Sequence, residues 1–256
     1  MKKNQIKEKL AAGKPVYGAM VQFPDPDLTE LLGYAGFDWI LIDAEHGSIN
    51  ENDCAAMVRA CELANTTAIV RPPSHHPEIL LRFLDRGAQG VQVPHVNTAQ
   101  DARAVVEAVK YYPVGKRGAT SATRSAGYGF RESIPDYFKF SNQETLVCVM
   151  IEEREAVRNL PEILKVDGVD VFFVGSADLA QTMGFPGNKN APEVQAVVRE
   201  AMDRIIAAGK VAGVSCDEEQ MTKYVDLGVR YFHTGVSPLM KFAARHFWSL
   251  VGEKRV

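Results

Sequence analysis

Short apolar runs alternate with amphipathic segments eight times along this 256-residue chain. Each apolar run is typical of a strand that is buried on both faces, and the segments between the runs have the spacing of helices that cover a sheet. The predicted strands are residues 16–21, 39–42, 68–71, 90–93, 146–151, 169–174, 211–214 and 231–234. Eight such strands, alternating with helices, favour a (β/α)8 TIM barrel over an open doubly wound sheet.

Helix boundaries support the same fold. The clearest helical segments are residues 27–36, 50–64, 77–87, 98–112, 191–209 and 217–228. Four of them end in a glycine, at Gly36, Gly87, Gly209 and Gly228, where a helix C-cap needs a positive φ. Because no low-complexity tract or linker divides the chain, and barrels of about this length are commonly single domains, we predict one domain over residues 1–256.

Composition narrows the class of protein. The formal net charge of −3 gives no reason to expect nucleic acid or an anionic membrane as a partner. The four cysteines lack the spacing of a zinc site, and we predict that they are reduced core residues. The N-terminal segment has no apolar core of signal-peptide length, and no run approaches the ~20 apolar residues of a membrane-spanning helix. These features predict a cytoplasmic protein.

Two carboxylates follow neighbouring predicted strands. Asp178 lies in a Gly-Ser-Ala-Asp turn after strand 169–174, and Glu152 lies at the carboxyl end of strand 146–151. One β-α-β step separates these strands, so both acids should point to the same face of a barrel. Oxygen ligands of this kind suit a hard divalent cation such as Mg2+, Mn2+ or Co2+, with room left for a bidentate oxygen ligand.

Basic side chains stand at other strand ends. His46 follows the second strand, close to Asp43 and Glu45. It is either a histidine in the site that one of these acids orients or a histidine with a structural role. Arg71 ends the third strand before Pro72-Pro73, where its planar fork suits a carboxylate ligand or a salt bridge to Glu45 or Glu152.

The fourth strand has two notable features after it. His95 in VPHV should lie on the same face, either in the site or as a surface histidine near a loop. The stretch 113–135 is rich in Gly, Ser and Arg, and we expect it at the carboxyl side of the fourth strand, with a functional role. Its Lys116 and Arg117 would then solvate the mouth of the barrel or hold an anionic substrate tail, since the segment lacks the order of a nucleotide-binding P-loop.

Several separated motifs together resemble one family. They are LIDAEHG, IVRPP, FLDRGAQGVQVPHVNTAQDAR, GKRGA, MIEE and VFFVGSADLAQTMG, in this order. The set resembles the metal-dependent class II pyruvate aldolases of the HpcH/HpaI aldolase/citrate lyase family, from Tyr17 to about Pro238. The resemblance implies a (β/α)8 barrel that assembles as a homohexamer, a trimer of dimers, with the C-terminal helix packing on a neighbouring subunit.

The resemblance also implies roles for individual residues. Glu152 and Asp178 would bind the divalent cation, which also chelates the 2-oxo acid, pyruvate. Arg71 would stabilise charge on the pyruvyl oxygen, and His46 would be the base. Further, Asp85 would raise the basicity of that histidine, and the backbone at Ala177 would meet the substrate carboxylate.

Two positions qualify the resemblance. Met150 stands where the family commonly has a glutamine that contacts pyruvate or a metal-bound water. We therefore expect weaker discrimination for pyruvate and a pocket that tolerates longer 2-oxo acids, because a methionine chain can shift aside. The segment VPHV, which contains His95, is similar to the corresponding segment in the branch of the family that includes fungal macrophomate synthase, which decarboxylates oxaloacetate.

The predicted reaction is the cleavage of a 4-hydroxy-2-oxo acid to pyruvate and an aldehyde. It needs a base for the 4-hydroxyl proton and an electron sink for the pyruvate enolate. No lysine ends a predicted strand, so a Schiff base has no evident nucleophile and the cation is the expected sink. The alternatives are an oxaloacetate decarboxylase, a malyl- or citryl-CoA type lyase, for which a basic segment that could bind CoA phosphate is lacking, and a non-catalytic oxo-acid-binding protein.

Overall fold

The computed structural model of the protein describes residues 2–252, and the side chains of residues 218 and 219 lie outside this description. Eight parallel strands pair in chain order, and the last pairs with the first, which closes the barrel. They are β1 (Val16–Val21), β2 (Trp39–Asp43), β3 (Thr67–Arg71), β4 (Gly90–Val93), β5 (Leu146–Ile151), β6 (Val171–Val174), β7 (Val211–Ser215) and β8 (Tyr231–Gly235). The predicted (β/α)8 barrel is confirmed, with strand ends within two residues of those predicted.

Helices surround this barrel. They are α1 (Gln5–Ala11), α2 (Pro26–Tyr34), α3 (Glu51–Leu63), α4 (Pro77–Asp85), α5 (Ala99–Val109), α6 (Ile134–Glu144), α7 (Arg154–Ile163), α8 (Ser176–Thr182), α9 (Pro192–Ala207), α10 (Glu218–Leu227) and α11 (Val236–Leu250). The four glycines predicted at helix ends all have positive φ, between 70° and 104°. Helix α1 was not predicted; its Ile6 is fully buried against the interior of the barrel, so this helix covers the end where the strands begin.

Large side chains fill the barrel because glycines on neighbouring strands make room for them. A Cβ atom on Gly18 would lie 2.3 Å from the Trp39 ring, and one on Gly213 would lie 2.9 Å from Tyr231. The rings of Trp39 and Tyr231 stack with their centroids 4.2 Å apart. Phe173 packs edge-on against Tyr231. The interior is therefore a packed core and not a pore, and the barrel centre has no room for a ligand among the described residues.

The cysteine prediction is confirmed: Cys54, Cys61, Cys148 and Cys216 are buried and form no disulfide. Burial raises the pKa of each thiol, Cys216 to about 11. In the described part of the chain, no helix is long and apolar enough to cross a membrane.

The predicted position of the segment 113–135 is wrong within this chain. It follows α5 and packs against the C-terminal ends of the helices: Ser125 N–H donates to the Asp85 carbonyl, and Arg124 pairs with Glu62 at 2.6 Å. The helices run antiparallel to the strands, so this is the end of the barrel where the strands begin. Lys116 pairs with Glu107 and Arg117 with Asp85, so neither lies at the mouth formed by the strand carboxyl ends.

The barrel interior gives a test of packing. Gly18→Ala should lower the free energy of unfolding by about 1–3 kcal/mol or more, because the added methyl group overlaps the Trp39 ring. Gly118→Ala is the matched control: its Cβ would meet Leu81 at an ordinary 3.4 Å, and the change should stay within about 0.5 kcal/mol. Urea unfolding followed by circular dichroism measures both, and equal midpoints would contradict this account of the core.

Candidate active site

The carboxyl ends of β2 and β3 place a buried ion pair at the mouth of the barrel. Asp43 and Arg71 are the last residues of these strands and are register partners. Arg71 Nε donates to Asp43 Oδ1 at 2.9 Å, and Nη2 donates to Oδ2 at 2.7 Å. Asp43 is fully buried and Arg71 is 8% exposed. This bidentate contact fixes the plane of the guanidinium group.

Further donors surround the Asp43 carboxylate. Gln22 Nε2 donates to it at 3.0 Å, and the backbone N–H groups of Glu45 and His46 donate at 3.2 and 3.3 Å. Burial alone would raise the pKa of Asp43, but the hydrogen bond and charge of Arg71 outweigh it, so the pKa lies below its usual value. The sequence suggested Glu45 or Glu152 as the partner of Arg71. Asp43 is the principal one, and Glu45 is the second at 3.2 Å.

The two predicted metal ligands meet at the ends of β5 and β6. Glu152 is 2% exposed, and Gly175 lies so close that a Cβ there would be 2.8 Å from Glu152 Oε2. Asp178 lies in the first turn of α8, so the predicted Gly-Ser-Ala-Asp turn is the start of a helix. The pKa of Glu152 is raised to about 7, chiefly by burial and further by the charge of Asp178, against the hydrogen bond from the His95 backbone.

This arrangement fits a divalent cation. Two carboxylates, one of them buried, repel each other, and a cation between them would offset both the repulsion and the burial of charge. The donors are oxygens, which hard cations prefer. Among the described residues no group of three or more histidine, cysteine or acidic side chains forms a metal cluster. A pair of carboxylates leaves coordination positions for ligand oxygens.

His95 lies beside Glu152 and Glu45 at the mouth of the barrel, with its side chain 52% exposed. Its backbone has φ +55°, a left-handed conformation that is uncommon outside glycine, and its N–H donates to Glu152 Oε1 at 2.8 Å. The ring lies 2.9 Å from Glu153 and 3.4 Å from Glu45. Burial alone would lower the pKa of His95, but the Glu153 hydrogen bond and the charges of Glu152 and Glu45 outweigh it and raise the pKa.

His46 lies in the loop after β2. Its side chain is 58% exposed, and Nε2 is 3.8 Å from Glu45 Oε2. Glu45 thus stands within 4 Å of Arg71, His46 and His95. The sequence shows Glu45 beside His46 but does not indicate this central position. The signal that could have found it is the Asp-x-Glu-His spacing at a strand end.

The structure does not bring Asp85 to His46 within this chain. Asp85 is the last residue of α4, at the opposite end of the barrel from the strand carboxyl ends, and it accepts a hydrogen bond from Arg117 at 2.8 Å. The spacing in FLDRG belongs to a helix end, which a short motif cannot distinguish from a loop that faces the site. The acid beside His46 in this chain is Glu45.

Met150 and Ala177 lie beside the two carboxylates. Met150 is 2% exposed, at the inner side of β5, two residues before Glu152. Its sulfur accepts a hydrogen bond from Gln92 Nε2 at 3.7 Å. Ala177 precedes Asp178 in the first turn of α8.

One histidine beneath the site was not predicted from the sequence. His233 lies inside the barrel on β8, 4% exposed, with its ring stacked on Phe173 at 4.9 Å between centroids. Its pKa is lowered to about 3, chiefly by burial and further by the charge of Arg71. The imidazole is therefore neutral at physiological pH and adds no charge to the site. It was missed because it interrupts an apolar strand.

Comparison with known proteins identifies similar chains. A family model described as HpcH/HpaI aldolase/citrate lyase matches residues 18–239. A 4-hydroxy-2-oxo-heptane-1,7-dioate aldolase from Klebsiella pneumoniae is 42% identical over 234 residues, 91% of this chain and 88% of that protein. The crystal structure of an HpcH/HpaI aldolase/citrate lyase family protein from Burkholderia cenocepacia has a TM-score of 0.91 at 29% identity, covering 98% and 100% of the two chains. The citrate synthase SbnG has a TM-score of 0.83 at 28% identity, covering 96% and 98%.

Removing the carboxylate that holds Arg71 should destabilise the protein. Asp43→Asn should lower the free energy of unfolding by about 3 kcal/mol at pH 7. This value is at the low end for breaking a buried ion pair, because Glu45 remains as a second partner of Arg71. Asp203→Asn, in the exposed pair with Arg199, is the control and should cost at most about 1 kcal/mol. Since the folded pKa of Asp43 is lowered, its contribution is full above its unfolded pKa of about 4 and is lost as the pH falls further. Urea unfolding at pH 7 and at acid pH measures this, and a cost that does not depend on pH would contradict it.

Proposed function

The chain belongs to the HpcH/HpaI aldolase/citrate lyase family, and we propose that it is a metal-dependent carbon–carbon lyase that cleaves a 4-hydroxy-2-oxo acid to pyruvate and an aldehyde. One observation carries the proposal: the buried Glu152 carboxylate, next to the charge of Asp178, opens on the same barrel mouth as the fixed Arg71 guanidinium. Curated relatives named 4-hydroxy-2-oxo-heptane-1,7-dioate aldolase support a 2-oxo acid substrate with a carboxylate at each end.

Glu152 and Asp178 would hold the cation, which we propose to be Mg2+, Mn2+ or Co2+. When bound, such an ion polarises the 2-oxo group and takes up charge from the enolate. The raised pKa of Glu152 supports this role, because a buried carboxylate next to another one lacks a compensating charge in the protein alone. The Gly175 backbone leaves space for the carboxylate, and His95 N–H fixes one of its oxygens.

Arg71 would bind the oxygen on which negative charge develops. Asp43 engages Nε and Nη2, and among the hydrogen bonds of the described residues Nη1 is the nitrogen left for a substrate oxygen. Because the guanidinium is already oriented, it stabilises the charge without reorganising, worth about 3 kcal/mol for a contact of the oxyanion-hole kind. The backbone N–H of Ala177 would receive the substrate carboxylate.

We assign the base to His46. Its imidazole would take the proton from the 4-hydroxyl group as the C3–C4 bond breaks, so that the bond electrons pass to C3 and form the pyruvate enolate. Protonation at C3 then completes pyruvate. Glu45 Oε2 is 3.8 Å from His46 Nε2 and would accept a hydrogen bond from this ring. Within its own chain Asp85 pairs with Arg117, and its role beside His46 stays a prediction.

Oxaloacetate decarboxylation is a second candidate. Its support is the position of His95, whose ring lies 3.4 Å from Glu45 and 3.7 Å from Glu152 at the mouth of the barrel. The same cation and Arg71 would stabilise the enolate that remains when CO2 leaves.

We also propose that copies of this chain associate, as a hexamer, through α11. Four large apolar side chains on this helix are more than half exposed: Met240, Phe242, Phe247 and Leu250. Among the described residues of α11, Val236 at its start is the buried one. A neighbouring copy would cover this face. The four reduced cysteines support a cytoplasmic location.

A pyruvate-release assay over a panel of 4-hydroxy-2-oxo acids and oxaloacetate, with and without Mn2+, tests the function. We expect release from at least one 4-hydroxy-2-oxo acid with Mn2+, and loss of release with a chelator. Release from oxaloacetate alone would favour the decarboxylase. No release from any substrate would overturn the proposal.

The metal ligands are tested by conservative variants. Glu152→Gln or Asp178→Asn should abolish turnover and weaken Mn2+ binding, because an amide cannot replace the ligand charge. Glu153→Gln is the control: its carboxylate contacts His95 at the rim, and we expect Mn2+ affinity within a few-fold of wild type. Calorimetric titration with Mn2+ and the pyruvate assay measure both effects. A variant of Glu152 or Asp178 with full activity would exclude this metal site.

His46→Ala should reduce cleavage by about 100-fold or more, the scale expected for a general base, with a smaller change in pyruvate affinity. The exposed His76, at the start of α4, is the control, and its alanine variant should keep wild-type turnover. Steady-state kinetics measures turnover, and inhibition by pyruvate measures affinity. If His46→Ala kept near-normal turnover, His95 would become the better candidate for the base.

A further inference from the structure

Met150 lies in the barrel interior, close to the Glu152 carboxylate that we assign to the cation. Its Cε is 3.6 Å from the point where a Cβ on Gly175 would lie, and Glu152 Oε2 is 2.8 Å from the same point. The methyl group therefore packs against the Gly175 backbone, close to the carboxylate that we assign to the cation. A 2-oxo acid bound to that cation would have this methyl group as part of its floor.

Gln92 contacts the methionine from the neighbouring strand β4. Gln92 is fully buried and faces inward from β4. Its register partner on β5 is Cys148, which lies two residues before Met150. Gln92 Nε2 donates to the Met150 sulfur at 3.7 Å. Within the described residues, Oε1 of the same amide is buried without a hydrogen-bond partner. Burying a polar atom without a hydrogen-bond partner costs stability, and an apolar side chain would fill this space without that penalty. Packing alone therefore does not account for an amide at this position.

We propose that Gln92 determines donor specificity by anchoring the sulfur of Met150. This inference rests on the proposed function, since the donor is the 2-oxo acid whose enolate forms. With the sulfur held, the side chain loses the freedom of its first two torsions, and only the terminal methyl can turn. The sequence predicted a methionine that shifts aside for longer 2-oxo acids. The anchored methionine instead limits the donor to the size of pyruvate.

The test compares pyruvate with 2-oxobutyrate as donors in the synthetic direction, with one aldehyde, Mn2+ and the full chain. Gln92→Leu should raise kcat/KM for 2-oxobutyrate relative to pyruvate by about tenfold, the lower range for one methylene in a pocket, and mainly by lowering KM. Gln89→Leu is the matched control on the same segment. The Gln89 amide is also buried but bonds to the carbonyls of Lys2 and Lys3 at the far end of the barrel, and the donor ratio should not change.

A double-mutant cycle tests whether Gln92 acts through Met150. In a Met150→Leu background, which lacks the sulfur, Gln92→Leu should leave the donor ratio unchanged. An equal change in both backgrounds would overturn the proposal, as would a ratio in Gln92→Leu that matches wild type. Gln92→Met, which also lacks the amide, replaces Gln92→Leu if the latter folds poorly.

Failure of the proposed function is distinguishable from failure of this inference. If the wild-type protein releases no pyruvate from any 4-hydroxy-2-oxo acid, the reaction is wrong, and calorimetry then compares pyruvate and 2-oxobutyrate binding to the Mn2+-loaded variants. Preferential gain of 2-oxobutyrate affinity in Gln92→Leu would still support the anchor, and equal affinities in wild type and variant would exclude it.

Discussion

The pairing of β2 with β3 places Asp43 beside Arg71. This buried ion pair fixes the guanidinium group at the mouth of the barrel. Neither charge would be tolerated alone at this depth. The glycines under Trp39 and Tyr231 let the strands close around bulky rings, and closure in turn fixes which residues meet at the mouth. A slip of one residue between β2 and β3 would turn one of the two charges away from the site. The orientation of Arg71 is therefore a property of the whole barrel.

The mouth of the barrel carries more negative charge than the protein neutralises. Glu45, Glu152, Glu153 and Asp178 face Arg71 and two histidines. The pKa of Glu152 is raised chiefly by burial and further by the charge of Asp178. A protein without a ligand here would gain stability by losing an acid. The excess makes sense when a divalent cation belongs at Glu152 and Asp178, because the cation then supplies the charge that the side chains lack. The His95 N–H, brought in by a left-handed backbone, orients Glu152 before any ligand arrives.

Much of the fold could be predicted because each strand is apolar along its length, and the strand-end residues followed from it. The sequence indicated His46, Arg71, His95, Glu152 and Asp178, and the structure places them at one rim. The contacts between these side chains and their partners were harder to predict. Asp43 meets Arg71 only through strand register, which the sequence does not state. Asp85 and the segment 113–135 lie at the other rim, because a helix end and a strand end look alike in a short motif. His233 and Gln92 interrupt apolar runs, so a pattern-based prediction treats them as exceptions.

Burial separates the two halves of the proposed substrate. Arg71, Met150 and Glu152 are each at least 92% buried and belong to strands or their ends, so the 2-oxo acid half would meet a surface that moves only with the barrel. His46, to which we assign the base, is different, since its side chain is 58% exposed on a loop. The aldehyde half would extend toward that loop and the rim, where substitutions cost little stability. On the proposed scheme, substitutions at the rim would change the preference for the aldehyde without disturbing the core, whereas a change in the preference for the 2-oxo acid would alter the packing of Gln92 and Met150 inside the barrel.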